Sequence, residues 1–254
     1  MIRESKARND IVEIGRRLWM RGFVAANDGN LSVRLGNERV LITPTGVSKG
    51  FMNPADLLVC DMQGVVLSHH NRVVKPTTEL PMHLEIYHLR EDVGGIVHAH
   101  PPMSTAFAAA GLSLKECLLA ETAILLGEVP LAPYATPSTQ EVPASIRPVV
   151  PTCDAVLLAN HGAVTYGESI QDAHFKMETL EHSAKVTFYA KQLGSPMPLP
   201  VKELKRIQGM REKVYGLENR VSASFDDKNM EGDHSIDVLK DLIVESVLSR
   251  LSES

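Results

Sequence analysis

Short strand-like runs alternate with helical patterns along most of this chain, and that alternation is typical of α/β folds. Runs bounded by Gly, Asn or Pro predict strands at residues 31–35, 40–43, 57–61, 65–68, 95–100 and 155–162. Amphipathic spacing predicts helices over residues 5–22, 79–90 and 169–193. Thr78 is a candidate N-cap for the second of these helices.

The chain becomes more polar after about residue 200. We therefore predict one α/β domain over residues 1–200 and a C-terminal extension, helical and partly disordered, over residues 201–254. Within the extension, residues 222–235 are typical of a loop or disordered linker, and a short amphipathic helix is predicted to follow.

Charge and cysteine content exclude several functional classes. The formal net charge of -5 argues against a nucleic-acid partner, which a basic surface would attract. No apolar run approaches the ~18 residues of a membrane helix, and the charged N-terminus lacks the apolar core of a signal peptide. Cys60, Cys117 and Cys153 are too few and too far apart for a disulfide framework. We expect a cytoplasmic protein with reduced thiols and no membrane partner.

Two histidines lie close together at the end of an apolar run, in the segment "GGIVHAHPP". Side chains two residues apart in a strand point to the same face, so His98 and His100 lie about 7 Å apart along one face. Pro101 and Pro102 end the strand and place the pair at the rim of a sheet. The two imidazoles can therefore converge on one metal ion.

Two further residues are candidates for the same site. His161 lies where the apolar run "AVLLANHG" meets Gly162, and Glu79 lies in "KPTTE", where it can bind metal, act as a base or alternate between the two. Three or so protein ligands and one open position define a catalytic zinc site, and imidazole also suits Mn²⁺, Co²⁺ or iron. Spacing alone leaves a hydrogen-bonded pair of buried histidines as the alternative. Histidines elsewhere are expected to be ordinary surface or core residues: His69, His70, His83, His88, His174 and His182.

Three short segments combine features that bind a phosphate. They are "NDGNLS", "TPTGVSKG" and "KPTTE", and their candidate phosphate-binding residues are Gly29, Asn30, Thr45, Gly46, Thr77 and Thr78. Hydroxyls, an amide and free backbone N–H groups at a helix N-terminus suit one phosphate monoester. The pattern "GVSKG" also matches a nucleophile elbow, but flanking prolines argue against the required strand-to-helix turn. We also find no lysine in an apolar strand run, which argues against a Schiff-base mechanism.

The motifs "NDGNLSVR", "ITPTGVSKG", "KPTTELPMHLEIY", "VGGIVHAHPP", "APYATPSTQE" and "LLANHGAV" occur in one order over about residues 5–195. Together they resemble the class II aldolase/adducin family. The resemblance implies a three-layer α/β/α domain with a mainly antiparallel sheet, and a homotetramer. It implies that His98, His100 and His161 bind zinc or a similar ion, that Glu79 can occupy the open metal position and then move protons, and that the phosphate segments bind a sugar phosphate.

The resemblance also indicates a reaction. In a metal-dependent aldolase, a Lewis acid stabilises the enediolate that carbon–carbon cleavage produces, and a phosphate clamp orients the substrate. Aldolases of this family that act on fuculose 1-phosphate use a tyrosine from a neighbouring subunit, whereas this chain has no tyrosine between His100 and Tyr134. Glu116, Glu121 and Glu128 lie in that stretch. Glu121 is our candidate because its surroundings are apolar, although a carboxylate at a subunit contact explains it equally well.

Three functional hypotheses follow. The first is an aldolase that releases dihydroxyacetone phosphate and an aldehyde from a ketose 1-phosphate. The second is a sugar-phosphate 4-epimerase, decarboxylase or dehydratase with the same metal site. The third is a non-catalytic adducin-like module, which the complete ligand set disfavours. Metal content separates the third hypothesis from the others, and product identity separates the first from the second.

Overall fold

The computed structural model describes residues 3–68 and 75–215, in which eight strands form one sheet. The strands are β1 (Asn30–Arg34), β2 (Arg39–Ile42), β3 (Leu58–Asp61), β4 (Val66–Ser68), β5 (Gly95–Ala99), β6 (Leu131–Ala132), β7 (Ala155–Leu158) and β8 (Gly162–Gly167). The helices are α1 (Glu4–Met20), α2 (Leu80–Leu89), α3 (Pro102–Ala109), α4 (Ala120–Leu125), α5 (Glu141–Ile146), α6 (Ile170–Leu193) and α7 (Val201–Tyr215). His69, His70 and the predicted linker and terminal helix lie outside the described residues.

The sheet has the order β4-β3-β2-β1-β5-β8-β7-β6. Every neighbouring pair is antiparallel except β6 and β7, which are parallel. The central strands β1, β5, β8 and β7 are almost entirely buried, which agrees with their apolar sequences. The predicted mainly antiparallel sheet is therefore confirmed.

Helices cover both faces of this sheet, and each face has its own hydrophobic core. On one face, α1, α3 and α6 pack against alternate strand residues such as Leu31 and Val97. On the other face, α2 and α5 pack against residues of the opposite alternation, such as Ile96 and Val164. The predicted three-layer α/β/α architecture is confirmed.

Two local predictions differ from the structure. Helix α2 begins at Leu80 with Glu79 at its N-cap position, so the prediction that Thr78 caps it is wrong. The reason is a turn before the helix, in which the N–H of Thr77 donates to the carbonyl of Thr43 and its own carbonyl accepts from Leu80. The run at 155–162 is also not one strand, because β7 ends at Leu158 and a turn follows that includes Asn160 at a φ of 54°.

The start of the predicted C-terminal extension is helical and packs on the domain. Leu204 in α7 is buried with Cys117 and Ala123, and the guanidinium of Arg211 donates to the carbonyls of Ala123 and Ile124 at the end of α4. All three cysteines are buried free thiols. Among the described residues, no helix is both long and apolar enough to cross a membrane.

A buried ion-pair cluster connects α2, the start of β7 and α6. Asp154 accepts from the guanidinium of Arg90 at 2.8 Å and from Nζ of Lys176 at 2.9 Å, and both cationic side chains are only 5% exposed. Burial raises the pKa of Asp154, but Lys176 and Arg90 outweigh burial and lower it. The ionised carboxylate therefore stabilises the fold at pH values above the ordinary aspartate pKa of about 4. This contribution is lost as the pH falls through the lower pKa that Asp154 has in the folded state.

We expect Asp154→Asn to lower the free energy of unfolding by about 2 kcal/mol at pH 7, because it removes the buried carboxylate that both cations share. Arg90 then keeps only Asp92 and Lys176 keeps only Asp172, and both of these carboxylates are more exposed. The matched control is Asp172→Asn, which removes a more exposed partner of Lys176 at 3.0 Å and should cost less than about 1 kcal/mol. Urea denaturation of both variants measures the difference. Equal losses would contradict a special role for the buried carboxylate.

Candidate metal centre

Four side chains meet where β5, the β7–β8 turn and the N-terminus of α2 come together. His98 is the fourth residue of β5, and His100 follows the strand by one residue. His161 lies in the turn immediately before β8, which pairs with β5 through Ala99 and Ala163. Glu79 enters from the start of α2. Strand pairing therefore brings together histidines that lie more than sixty residues apart in the sequence.

The three imidazoles form a compact cluster. Their ring centroids are 4.8–5.1 Å apart, and one nitrogen from each ring lies within 4.8 Å of the others. Nε2 of His98 lies 3.1 Å from Oε2 of Glu79, and Nε2 of His161 lies 3.3 Å from Oε1. Nδ1 of His98 donates to the carbonyl of Ala163 at 3.0 Å, which fixes the ring and leaves Nε2 for the centre of the cluster.

The charges in the cluster favour one positive centre beside one carboxylate. Burial raises the pKa of Glu79, but His98 and His161, with a hydrogen bond from Asn30, outweigh burial and hold it well below its usual range. Burial lowers the pKa of His98, yet the adjacent Glu79 reverses this and raises it. Burial and the nearby His98 lower the pKa of His100 to about 3 and that of His161 to about 4. Because a metal ligand must be a neutral imidazole, His100 and His161 are ready to bind an ion, and His98 would release its proton when the ion binds.

The donor set fits a divalent transition-metal ion. Oε1 of Glu79 is buried and has no hydrogen-bond partner, although His161 is near it, and such an orphaned acceptor is costly unless something else satisfies it. Three imidazole nitrogens and one carboxylate oxygen are typical ligands of zinc and similar ions. His98, His100, His161 and Glu79 can therefore hold such an ion.

The three predicted phosphate segments lie side by side next to this cluster. The N–H of Thr45 donates to the carbonyl of Lys75 at 2.9 Å, which joins the second segment to the third. Nζ of Lys49 donates to the carbonyls of Asn27 at 2.7 Å and Val47 at 2.6 Å, which joins the first segment to the second. Thr45, Gly46 and Thr78 are exposed, whereas Gly29, Asn30 and Thr77 are buried.

Lys49 is a buried lysine that the search for lysines in apolar strand runs did not find. It lies in a loop, not in a strand, but its side chain is almost completely buried, and burial lowers its pKa to about 8. Because both of its short hydrogen bonds go to backbone carbonyls, we assign it a structural role in joining the two loops.

Individual residues of the phosphate segments differ in what they offer. The Asn30 side chain is 3% exposed, and both of its polar atoms contact protein groups, Glu79 and His83. The Thr78 hydroxyl accepts a hydrogen bond of 2.6 Å from the Ser138 hydroxyl. Ser138 has a φ of 66°, which is rare for a residue other than glycine, and its only sequence signal was its position in "ATPSTQE".

Glu121 is not among the residues that form this cluster within one chain. It is exposed in the first turn of α4, and the described residues make no hydrogen bond or ion pair with it. A role for Glu121 therefore stays a prediction that depends on a neighbouring subunit.

Sequence reasoning missed several residues that surround the centre. Asp28, 3.5 Å from Nδ1 of His100, was not singled out, neither were Ser32 and Tyr87, and His83 was expected to be an ordinary surface or core residue. A signal for the last three was present, because polar residues alternate in "NLSVR" and recur every four positions in "ELPMHLEIY". These two patterns predict polar faces on a strand and a helix, but not that the faces meet.

Gly29 provides a test of how closely the first phosphate segment approaches the metal cluster. Gly29 and Gly46 have the same φ of 72°, but a Cβ at Gly29 would lie 2.6 Å from Val24 and 2.9 Å from the carbonyl of His98. A Cβ at Gly46 would meet nothing within 4 Å. We expect Gly46→Ala to cost about 1–2 kcal/mol of backbone strain, and Gly29→Ala to cost a further 1–3 kcal/mol from overpacking. Thermal unfolding measures both, and equal losses would contradict the close approach.

Comparison with known proteins identifies the family. The model of the class II aldolase and adducin N-terminal domain matches residues 9–188. An L-fuculose phosphate aldolase from Methanococcus maripaludis is 35% identical over 186 residues, which cover 73% of this chain and 98% of that protein. A 3-oxo-tetronate 4-phosphate decarboxylase from Haemophilus influenzae is 35% identical over 187 residues, covering 70% of this chain and 85% of that protein.

A solved structure gives the same result. YgbL from Klebsiella pneumoniae, for which aldolase, epimerase and decarboxylase activities have been suggested, matches with a TM-score of 0.76 at 30% identity. The match covers 82% of this chain and all of that one. This chain belongs to the class II aldolase and adducin family. Its relatives bear the names of two different lyase reactions at the same level of identity.

Proposed function

We propose that this chain is a zinc-dependent aldolase that cleaves a ketose 1-phosphate into dihydroxyacetone phosphate and an aldehyde. The observation that carries the proposal is the convergence of His98, His100, His161 and Glu79, with one carboxylate oxygen left without a hydrogen bond. The adjacent loops offer hydroxyls and backbone N–H groups suited to a phosphate. The similarity to L-fuculose phosphate aldolases is consistent with this reaction.

In this proposal, the three histidines and Glu79 hold the ion. When bound, the ion supplies Lewis acidity that polarises a substrate carbonyl. Thr45, Gly46 and Thr78, the exposed residues of the phosphate segments, clamp the phosphate so that its binding energy orients the sugar. Gly29 lets its loop approach the backbone of His98. This close approach fixes the distance between the phosphate-binding loops and the metal ligands.

Proton transfer is assigned to two carboxylates. Aldol cleavage removes a proton from the hydroxyl that becomes the aldehyde, and it returns a proton to the carbon that remains with the triose phosphate. Glu79 is our candidate for the transfer at carbon, because its Oε1 is free of hydrogen bonds beside the metal ligands. Glu121 of a neighbouring subunit is our candidate for the hydroxyl proton, in a homotetramer as the family resemblance implies.

A second candidate reaction is decarboxylation of a 3-oxo-tetronate 4-phosphate. It is favoured by the relative from Haemophilus influenzae, which is as similar to this chain as the aldolase. Epimerisation and dehydration would use the same metal site. An adducin-like module without activity is disfavoured because all four candidate ligands are present and close together.

The test is a metal and product analysis of the full chain. Protein purified without added metal is analysed for zinc, then supplied with ketose 1-phosphates and, separately, a 3-oxo-tetronate 4-phosphate. Release of dihydroxyacetone phosphate, detected with glycerol-3-phosphate dehydrogenase, supports the aldolase. Carbon dioxide without triose phosphate would establish the decarboxylase instead. A protein that binds no zinc and converts neither substrate would overturn the proposal.

A further inference from the structure

A buried chain of polar side chains runs between β1 and α2 behind the metal cluster. Asn30 and Ser32 lie two residues apart on the same face of β1, and Glu79, His83 and Tyr87 recur every four residues at the start of α2 and along it. The two sets interleave in the layer between sheet and helix. Except for Glu79, each of these side chains is no more than 3% exposed.

Every neighbouring pair in this chain is hydrogen-bonded. The Tyr87 hydroxyl lies 2.8 Å from Oγ of Ser32, which lies 2.7 Å from Nδ1 of His83. Nε2 of His83 lies 2.6 Å from Oδ1 of Asn30, and Nδ2 of Asn30 donates to Oε2 of Glu79 at 2.8 Å. The chain therefore ends on Oε2 of Glu79, which also lies 3.1 Å from Nε2 of His98, whereas Oε1 lies 3.3 Å from Nε2 of His161 and has no hydrogen bond.

The chemistry of these groups allows one direction of donation. An ionised carboxylate only accepts, so Asn30 must present its NH₂ group to Glu79 and its carbonyl oxygen to His83. His83 must then donate from Nε2 and accept at Nδ1. The Ser32 hydroxyl donates to that nitrogen and accepts from Tyr87. Burial is the main reason that the pKa of His83 falls to about 3, so the ring is neutral and has one donor and one acceptor.

We propose that His83 is a positioning residue that, through Asn30, fixes the orientation of the Glu79 carboxylate, with Oε2 held by the amide beside His98 and Oε1 beside His161. This inference rests on the metal site of the proposed function. Its physical basis is the Asn30 amide, which could otherwise rotate by half a turn. In the rotated state, two acceptor oxygens would face each other between Asn30 and Glu79, and the Nε2–H of His83 prevents that rotation.

A matched pair of substitutions separates this role from general packing. The side-chain nitrogen of glutamine reaches the position of Nε2, whereas the amide of asparagine reaches only that of Nδ1. His83→Gln therefore keeps the donor to Asn30 and loses the contact with Ser32, and His83→Asn does the opposite. Both replacements are neutral and polar.

Zinc affinity, measured on the full chain by chelator competition, is the readout that does not depend on substrate. We expect His83→Asn to bind zinc about 10- to 100-fold more weakly and His83→Gln to stay within about threefold of the unmodified protein. Where aldolase activity is present, His83→Asn should lower kcat by a similar factor with KM nearly unchanged, and His83→Gln should rescue it. Equal zinc affinities for the two variants would overturn the proposal.

The unmodified protein provides a second test that no folding defect can affect. Long-range ¹H–¹⁵N NMR of the full chain distinguishes the two neutral tautomers of histidine. We expect His83 to carry its proton on Nε2 at pH 7. A proton on Nδ1, or on both nitrogens, would overturn the inference. If the zinc and tautomer results hold while no triose phosphate is released, the proposed reaction fails and the positioning role of His83 stands.

Discussion

Replacing His98 with alanine should abolish tight metal binding and, with it, the lyase activity. His98 is completely buried at the middle of the cluster, 3.1 Å from Oε2 of Glu79 and 3.1 Å from Nε2 of His100. Two histidines and a carboxylate would remain, but the carboxylate would lose its nearest imidazole. Because an open catalytic site uses about three protein ligands, we expect metal content to fall from about one ion per chain to near none.

The matched control for this prediction is His88→Ala. His88 lies on the exposed side of α2, so its removal leaves the metal cluster unchanged. Elemental analysis after dialysis, with circular dichroism to confirm folding, measures the effect. If a folded His98→Ala protein retained as much zinc as the His88→Ala control, His98 would not be a ligand.

Replacing Glu79 with glutamine should stop the reaction while the protein stays folded. Glutamine matches the shape of glutamate but cannot accept and return a proton, so we expect kcat to fall by about 10²- to 10⁴-fold. The three histidines remain, so zinc should still bind, although more weakly. Glu85→Gln on the same helix is the control, since Glu85 pairs with Arg147 at the surface. Equal activity of the two variants would remove Glu79 from the mechanism.

The same variant has a consequence for protonation of the metal-free protein. Burial lowers the pKa of His98, and Glu79 is what raises it above its ordinary value. In Glu79→Gln only the carbonyl of Ala163 and the charge of Asp28 still oppose burial, and both are smaller effects. We therefore expect His98 to lose its proton at a lower pH than in the unmodified protein, which an NMR titration of the metal-free variant can measure.

Local patterns in the sequence were sufficient to nominate the candidate ligands. A spacing of two residues in an apolar strand puts His98 and His100 on one face, and this depends only on backbone geometry. The glycines and threonines of the phosphate segments were visible for a similar reason, because turns and helix N-termini need particular residue types. The family resemblance added the roles of His161 and Glu79, together with the layered fold.

Only the tertiary structure decided which of these groups touch. Asn30 and Glu79 are 49 residues apart, and their contact depends on the position of α2 over β1. The burial of Lys49 and the ion pairs of Asp154 likewise depend on segments that are distant in sequence. Periodicity predicts the face on which a side chain lies, whereas packing and strand pairing determine what that face meets. For this reason the sequence by itself determined the composition of the candidate metal site. The tertiary structure alone decided that Asn30 hydrogen-bonds to Glu79 and that His83 hydrogen-bonds to Asn30.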